Sequence, residues 1–478
     1  MRAGATYALI LLATTGCVRL RPGAAFEDVR RSLSSRMAAP VTWRSDPSAD
    51  TTKFEERLRE LLATDLTPES AVEIALFNSP ALQATYERLG IAQADFVQAG
   101  LIPNPVVHAS VRFGIGGPGP GAELSLLQDF IRMLEIPLRK RVATAEFESA
   151  KLEVAQAVID LAADVRAAFY AVQGGEQMLE LRQTVARATE LSAEIARRQH
   201  DVGNIGDLDL GNEQALAEEA KLDLARTEAD VLANREELNA LLGLWGPDTT
   251  WKIASRLPGL PSEEVHRQGL ESMAVSQRLD LAAARQSVEI QARSLGLARV
   301  TALFPAGGFG GDAEREPDGE WTAGPAIEFS VPIFDQGRAV VARTVAELRE
   351  RQRRYAALAI RIRSQVRRAG TRMESARRRA AYFEKVLLPL RQRNVVQSQL
   401  QYNAMQIGVF QVLQAKRDEI ETGRSYVETL TDYWLARTEL ERAVGGDLPR
   451  GPTPPSATPS PAPDEPPGPQ HHMDHGGN

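Results

Sequence analysis

Two kinds of hydrophobic pattern run along this chain, and they follow one another in a fixed order. From Tyr355 onward the apolar positions Leu358, Ile362, Val366, Ala369, Met373, Ala376, Ala380, Phe383, Leu387 and Leu390 are separated by threes and fours only. That spacing keeps a narrow apolar stripe on one side of a helix and is the seam of a coiled coil. Val154, Val158, Leu161, Val165, Ala168 and Val172 repeat the spacing and belong to a helix predicted over residues 139–201. At 1.5 Å per residue this helix is about 95 Å long. A rod of that length cannot bury its stripe in a globular domain and needs other helices beside it. Pro389 lies in the later rod, where it removes a backbone donor and predicts a kink or a division.

The second pattern has a period of two. Val107, Ala109, Val111 and Phe113 alternate with His108, Ser110 and Arg112, and over residues 327–333 Ile327, Phe329, Val331 and Ile333 alternate with Glu328 and Ser330. Apolar-out, polar-in alternation marks transmembrane barrel strands. Partner strands are expected near residues 122–127 and 303–309; both alternate poorly, and Gly307-Gly308 weakens the latter. On pattern alone, soluble hairpins packed on helices remain the alternative. Four strands are too few to close a barrel, since the smallest use about eight. Three chains would supply twelve and pool the long helices into one tube.

The two patterns recur because the chain is duplicated. Residues 204–243 laid over 406–445, a shift of 202 without a gap, match at nine of 40 positions, among them Ile205, Gly206, Leu238 and Gly243. Ordinary composition would give about two or three. Each copy reads as helix, two extended segments around a Gly/Pro-rich turn, a very long helix, a tight turn and a final helix. The expected organisation is a signal segment at 1–16, an N-terminal periplasmic segment at 17–65, repeats at 66–246 and 262–446, and a separate tail at 447–478.

Composition sharpens this reading. Lys and Arg number 56 against 63 Asp and Glu, a net charge of −7 over 478 residues, which argues against a nucleic-acid partner. Aromatic residues make up only 6%, as long helices would have it. The single cysteine, Cys17, excludes a disulfide framework and any cysteine-cluster metal site. Its setting is informative: Arg2, an apolar run over residues 5–13, then Thr14-Thr15-Gly16 before Cys17 form a short secretory signal. The run is too short to span a bilayer. Small residues before a lone cysteine resemble a lipobox, whose cysteine becomes the acylated N-terminus; Val18 rather than Asp after it favours the outer membrane. A plain signal peptide is the alternative.

At the other end, ten of the 28 prolines fall in residues 449–469, and His471, His472, Met473 and His475 close the chain. This tail is expected to be disordered and partly polyproline II. Imidazole takes several transition metals and thioether favours Cu(I), so the cluster is a candidate metal-capture site; a solubilising end is the other reading.

The ordered set of motifs resembles the TolC-like outer-membrane efflux proteins of lipoprotein type. Its carriers are Leu66-Thr67-Pro68-Glu69-Ser70-Ala71, Asn78-Ser79-Pro80, Leu101-Ile102-Pro103-Asn104-Pro105, the stretch from Phe329-Ser330-Val331-Pro332 to Gly337-Arg338, and the turns at Gly206 and Gly408. The resemblance covers residues 66–446. It implies a mainly α fold with a β-barrel portion: a homotrimer with a 12-stranded barrel in outer-membrane lipid, continuous with an α-helical tunnel through the periplasm. It further implies passive export, a periplasmic adaptor, an inner-membrane pump, and neither enzymatic activity nor a cofactor. By that resemblance the turns 203–207 and 405–409 are the periplasmic tips, with Ile205, Gly206, Ile407 and Gly408 meeting the adaptor. Gly206 and Gly408 would suit turns that need positive φ. The acidic constriction that several relatives carry after the second tip is absent from residues 409–414, so a gate is expected instead at Asp207 and Asp209.

Catalytic triads, phosphate loops and Cys/His zinc spacings are absent. The arginines of residues 361–379 flank the apolar seam and read as a solvated helix face. A secreted coiled-coil scaffold without a pore explains the heptads but not the duplicated strands. Cargo stays open among heavy-metal cations such as copper, drugs, and substrates of type I secretion.

Overall fold

A computed structural model describes residues 22–44, 51–113, 120–262, 269–303, 306–316 and 318–448. Cys17 and the His/Met cluster at residues 471–475 lie outside the described residues. In chain order the elements are α1 (Pro22–Ser34), α2 (Thr51–Leu62), α3 (Pro68–Asn78), α4 (Pro80–Ala99), β1 (Val106–Phe113), β2 (Pro120–Asp129), α5 (Phe130–Leu134), α6 (Ile136–Asp201) and α7 (Asp207–Leu242). They continue with α8 (Leu270–Gln277), α9 (Leu279–Leu303), β3 (Gly307–Arg315), β4 (Trp321–Phe329), α10 (Arg338–Tyr382), α11 (Leu388–Asn403) and α12 (Val409–Val444).

Local chemistry fixes the starts and stops. Thr67 caps α3: its hydroxyl accepts from the Ser70 amide, the Ser70 hydroxyl accepts from the Thr67 amide, and Pro68 opens the first turn. At the far end of α7, Gly243 adopts φ 69°, and the Leu244 amide bonds back to the Asn239 carbonyl at 2.9 Å. Gly445 ends α12 at φ 93° with Gly446 bonding to Glu441 at 3.1 Å. Each is a Schellman stop, and the two lie 202 positions apart.

The rods match in length. Helix α6 spans 66 residues, about 99 Å at the α-helical rise. Helices α10 and α11, with the five-residue π turn Phe383–Leu387 between them, also cover 66 residues, from Arg338 to Asn403. The π turn sits where Pro389 withholds a donor and crowds the preceding turn, so the expected division occurs and α6, which has no internal proline beyond its first turn, runs unbroken.

The core sits at the waist, where α3, α4 and α8 pack on the rods. Val154, Val158, Val165 and Val172 of the seam are buried against Ile74, Leu76, Tyr86, Leu238 and Leu242. A second cluster joins Ile362, Val366, Ala369 and Met373 to Leu270, Tyr433 and Leu440. Truncating a fully buried leucine such as Leu238 or Leu440 to alanine would cost about 2–5 kcal/mol. The arginines of α10 do more than face solvent: Arg367 pairs with Glu271, Arg368 and Arg372 with Glu439, and Arg379 with Asp432, which clamps α10 to α8 and α12.

The sheet stands at one end of the rods and the turns at the other. Both hairpins join one antiparallel sheet of order β1-β2-β3-β4. The first hairpin falls where the alternation puts it. The second does not: β3 starts at Gly307 rather than at 303, where the chain is still helical, and β4 covers 321–329 rather than 327–333. Alternation in Val331 and Ile333 runs past the end of the strand, because Pro332 cannot continue a ladder of amide donors. Glycines mask β3 in the sequence, yet a β-carbon at Gly310 would run into the Leu126 carbonyl of β2.

Candidate functional site: a two-faced open sheet and two helical tips

Register divides the sheet into two faces, since directly opposed residues point the same way. Val107 opposes Leu126, Val111 opposes Ala122, and Phe309 opposes both Gln128 and Ile327, so one face carries Val107, Val111, Phe113, Leu124, Phe309 and Ile327, all exposed. On the other face the rows are His108, Ser125 and Asp312, then Ser110, Glu123 and Glu314. Arg112 donates to Glu123 at 2.6 Å, which leaves Asp312 and Glu314 as additional carboxylates on this face. Within one chain β1 pairs with β2 alone and β4 with β3 alone, leaving two open edges. An apolar exposed face, a polar exposed face and open edges are the features that a barrel wall between lipid and water requires. Among the described residues no helix is long and apolar enough to cross a membrane, which says nothing of a β-barrel.

The tips repeat one another at backbone level. The Gly203 amide bonds to the His200 carbonyl at 2.8 Å and the Asn204 amide to Gln199 at 2.8 Å; Met405 to Tyr402 and Gln406 to Gln401 do the same at 2.8 and 2.9 Å. Each partner lies 202 positions after its counterpart. Positive φ belongs to Gly203, at 77°, and to Met405, at 59°. Gly206 and Gly408 are extended N-cap residues with φ of −88° and −83°. The expectation that these two glycines serve a left-handed turn is therefore corrected. Each rod is stopped by the residue three places earlier, and at Gly206 a β-carbon would meet nothing within 4 Å. The signal was available: the 202 shift puts Gly203 over Met405, one position outside the matched window.

The polar groups at the tips differ. Asp207 and Asp209 occupy the first turn of α7, where carboxylates suit the helix N-terminus. Asp207 is also the partner of His200, Nε2 to Oδ1 2.8 Å. Neither Ile205 nor Ile407 is buried, and Met405 is 94% exposed. Higher up, Glu213 of α7 accepts from Ser192 of α6 at 2.5 Å and from Arg417 of α12 at 2.7 Å, tying the two helical hairpins together. Among the described residues no group of three or more His, Cys, Asp or Glu is placed to hold a metal ion.

At the waist, burial alone would lower the Arg166 guanidinium, but the Asp447 and Glu441 carboxylates outweigh it and hold it above its ordinary value. Burial, assisted by Glu441 and Glu69, pushes the Tyr170 phenol up. The Arg166–Asp447 pair fastens the segment that follows α12 to the rods.

The family model for outer membrane efflux proteins matches residues 71–244. The cobalt-zinc-cadmium resistance protein CzcC of Cupriavidus metallidurans is 23% identical over 394 residues, covering 80% of this chain and 91% of CzcC. Over residues 71–244 the chain carries the outer membrane efflux protein pattern, and beyond that segment it is similar to TolC-like outer-membrane proteins. The fold agrees with that of solved outer-membrane channels. The outer membrane channel CmeC of Campylobacter jejuni superposes with a TM-score of 0.67 at 15% identity, over 83% of this chain and 87% of CmeC. The channel protein CusC gives 0.66 at 17% identity, over 80% and 93%. The family and the fold that it matches are those of outer-membrane channel proteins, which are not enzymes.

Proposed function

We propose that three copies of this outer-membrane efflux channel close one twelve-stranded barrel, continue it as a helical tunnel, and export heavy-metal cations delivered by an adaptor and an inner-membrane pump. The open two-faced sheet carries the assembly: four strands per chain expose an apolar and a polar face and leave two edges that only further strands can satisfy. The matched rods, tips and stops at a spacing of 202 support a duplicated unit within each chain. Covering 91% of a protein named for cobalt, zinc and cadmium resistance supports the cargo.

In this reading Cys17 is the acylated N-terminus and holds the protein to the outer membrane. Ile205, Gly206, Ile407 and Gly408 are the adaptor-facing tips, Asp207 and Asp209 a gate on the cation path, and His471, His472, Met473 and His475 a soft-to-borderline metal-capture end. Detergent-solubilised protein should be trimeric by native mass spectrometry and should conduct in planar bilayers; a monomer without conductance would favour the scaffold reading. A deletion strain should become sensitive to cobalt, zinc, cadmium or copper. Sensitivity to drugs alone would move the cargo to multidrug efflux.

A further inference from the structure

The described chain ends inside a cleft. After α12 stops at Gly445, the Asp447 amide donates to the Arg36 carbonyl at 2.9 Å and its carboxylate pairs with Arg166 at 2.7 Å. Leu448, the last described residue, is only 2% exposed and forms part of the cleft wall. The cleft measures about 230 Å³; Pro68, Tyr170, Pro261 and Trp434 line it beside the charged Glu69, Arg166, Arg437 and Glu441. Tyr170 and Trp434 stack at 5.0 Å with an interplanar angle of 23°, so the buried Tyr170 backs the half-buried Trp434 at the cleft. The Trp434 ring is oriented by its Nε1, which donates to the Pro258 carbonyl at 2.8 Å.

What leaves this cleft is Pro449-Arg450-Gly451-Pro452-Thr453-Pro454-Pro455. Proline-rich segments favour the polyproline II conformation before they bind, so they lose little entropy on docking, and their rings pack on aromatic grooves. We propose that the Tyr170/Trp434 cleft is the docking groove of the chain's own proline-rich tail, taking residues 449–455 in polyproline II form. The occupant follows from continuity: Leu448 is already in the wall, and seven residues at 3.1 Å reach about 22 Å, enough to pass over Trp434. No other segment is delivered to this cleft at so high an effective concentration.

Docking sets the reach of the tail's end. From Ser456 to His471 a polyproline II tether covers about 47 Å. The α12 stretch from Thr438 down to Val409 is about 44 Å long. The His/Met cluster of an anchored tail therefore reaches the level of the tips from the waist. The docking itself stands whether or not that cluster binds metal.

Hydroxyl-radical footprinting of the full-length assembled protein in detergent tests the proposal, with Trp434 as reporter and the exposed Trp245 as internal control. Two variants keep the buried core intact: a chain ending at residue 448, and a full-length chain with Pro452, Pro454 and Pro455 each replaced by Ser. Labelling of Trp434 should rise several-fold in both while Trp245 stays constant, and a peptide of residues 449–478 added to the truncated protein should restore the shielding. Equal labelling of Trp434 in all three proteins would overturn the proposal; if it is uniformly low, a neighbouring copy covers the cleft instead.

Discussion

The two helical hairpins have the same backbone plan and opposite packing at their lower ends. In the first, Ala186, Thr189, Ser192 and Ala196 of α6 and Ala217 and Ala220 of α7 are buried within the single chain. In the second, α11 has no buried residue, and α12 has none before Val427. Val386, Leu390, Val396, Leu400 and Tyr402 stand exposed there instead. The first hairpin thus buries a row of small residues within the protomer, although Leu191, Leu208 and Leu222 stay exposed on it; the second buries nothing there and leaves its apolar residues for the neighbouring copies of the proposed trimer. The two hairpins share lengths and turns while their side chains differ in how much they bury within one chain.

Breaking this difference should have its largest effect on assembly. Val386→Glu with Leu400→Glu puts two charges on the uncovered stripe, and we expect loss of the trimer by native mass spectrometry with helical content unchanged by circular dichroism. The matching change on the first hairpin, Leu222→Glu, is exposed within one chain and tests which neighbour the stripe meets. If it too abolishes the trimer, α7 is the receiving face; an intact trimer in the double variant would end the argument.

The helix stops differ in what surrounds them. A β-carbon at Gly243 would lie 2.7 Å from the Asn78 carbonyl oxygen, a backbone atom, whereas at Gly445 its nearest neighbour is the Arg278 Cγ at 3.2 Å. Alanine pays about 1–2 kcal/mol for positive φ at either site. Gly243→Ala adds a backbone collision and should cost about 3 kcal/mol in all. The gap should appear as a lower unfolding midpoint for Gly243→Ala than for Gly445→Ala; equal midpoints would mean that the cap region relaxes.

At the tips the comparison runs the other way. Met405 holds a left-handed conformation that its counterpart Gly203 adopts freely. Met405→Gly should stabilise the second turn by about 1 kcal/mol and Gly203→Met should destabilise the first by a similar amount. If Met405→Gly also lowers efflux at unchanged trimer level, the exposed thioether side chain serves docking or conduction rather than folding.

The smallest effect concerns α1. The hydrogen bond from Lys151, against a modest burial penalty, holds the Asp28 carboxyl below the usual carboxylate range. A depressed folded pKa contributes stability that is present above the unfolded value and lost as pH falls through the folded one. Asp28→Asn should therefore lower stability near pH 6 by no more than about 0.5 kcal/mol, because the pair is partly exposed. The difference from the parent should shrink in denaturant titrations as the pH falls through the lowered folded pKa.

Much of this molecule was legible in the sequence, because long-range order here is built from local periods. A three-four spacing sustained over Val154–Val172 or Tyr355–Leu390 has one helical solution, strict alternation over Val107–Phe113 has one strand solution, and Pro389 breaks a helix wherever it is put. What the sequence did not settle depends on contacts across the chain. The bounds of β3 and β4 were misread because Gly310 answers to Leu126 on a neighbouring strand and not to its own neighbours in sequence. The left-handed residue of each tip had to be found three places before the glycine that draws the eye, since an isolated Gly signals tolerance of a conformation and not its use. The cleft at Tyr170 and Trp434, the ties from Asp447 to Arg36 and Arg166, and the shared face of Glu123, Asp312 and Glu314 join residues far apart in sequence. Periodicity fixes which residues share a face of one element; only packing decides which faces meet.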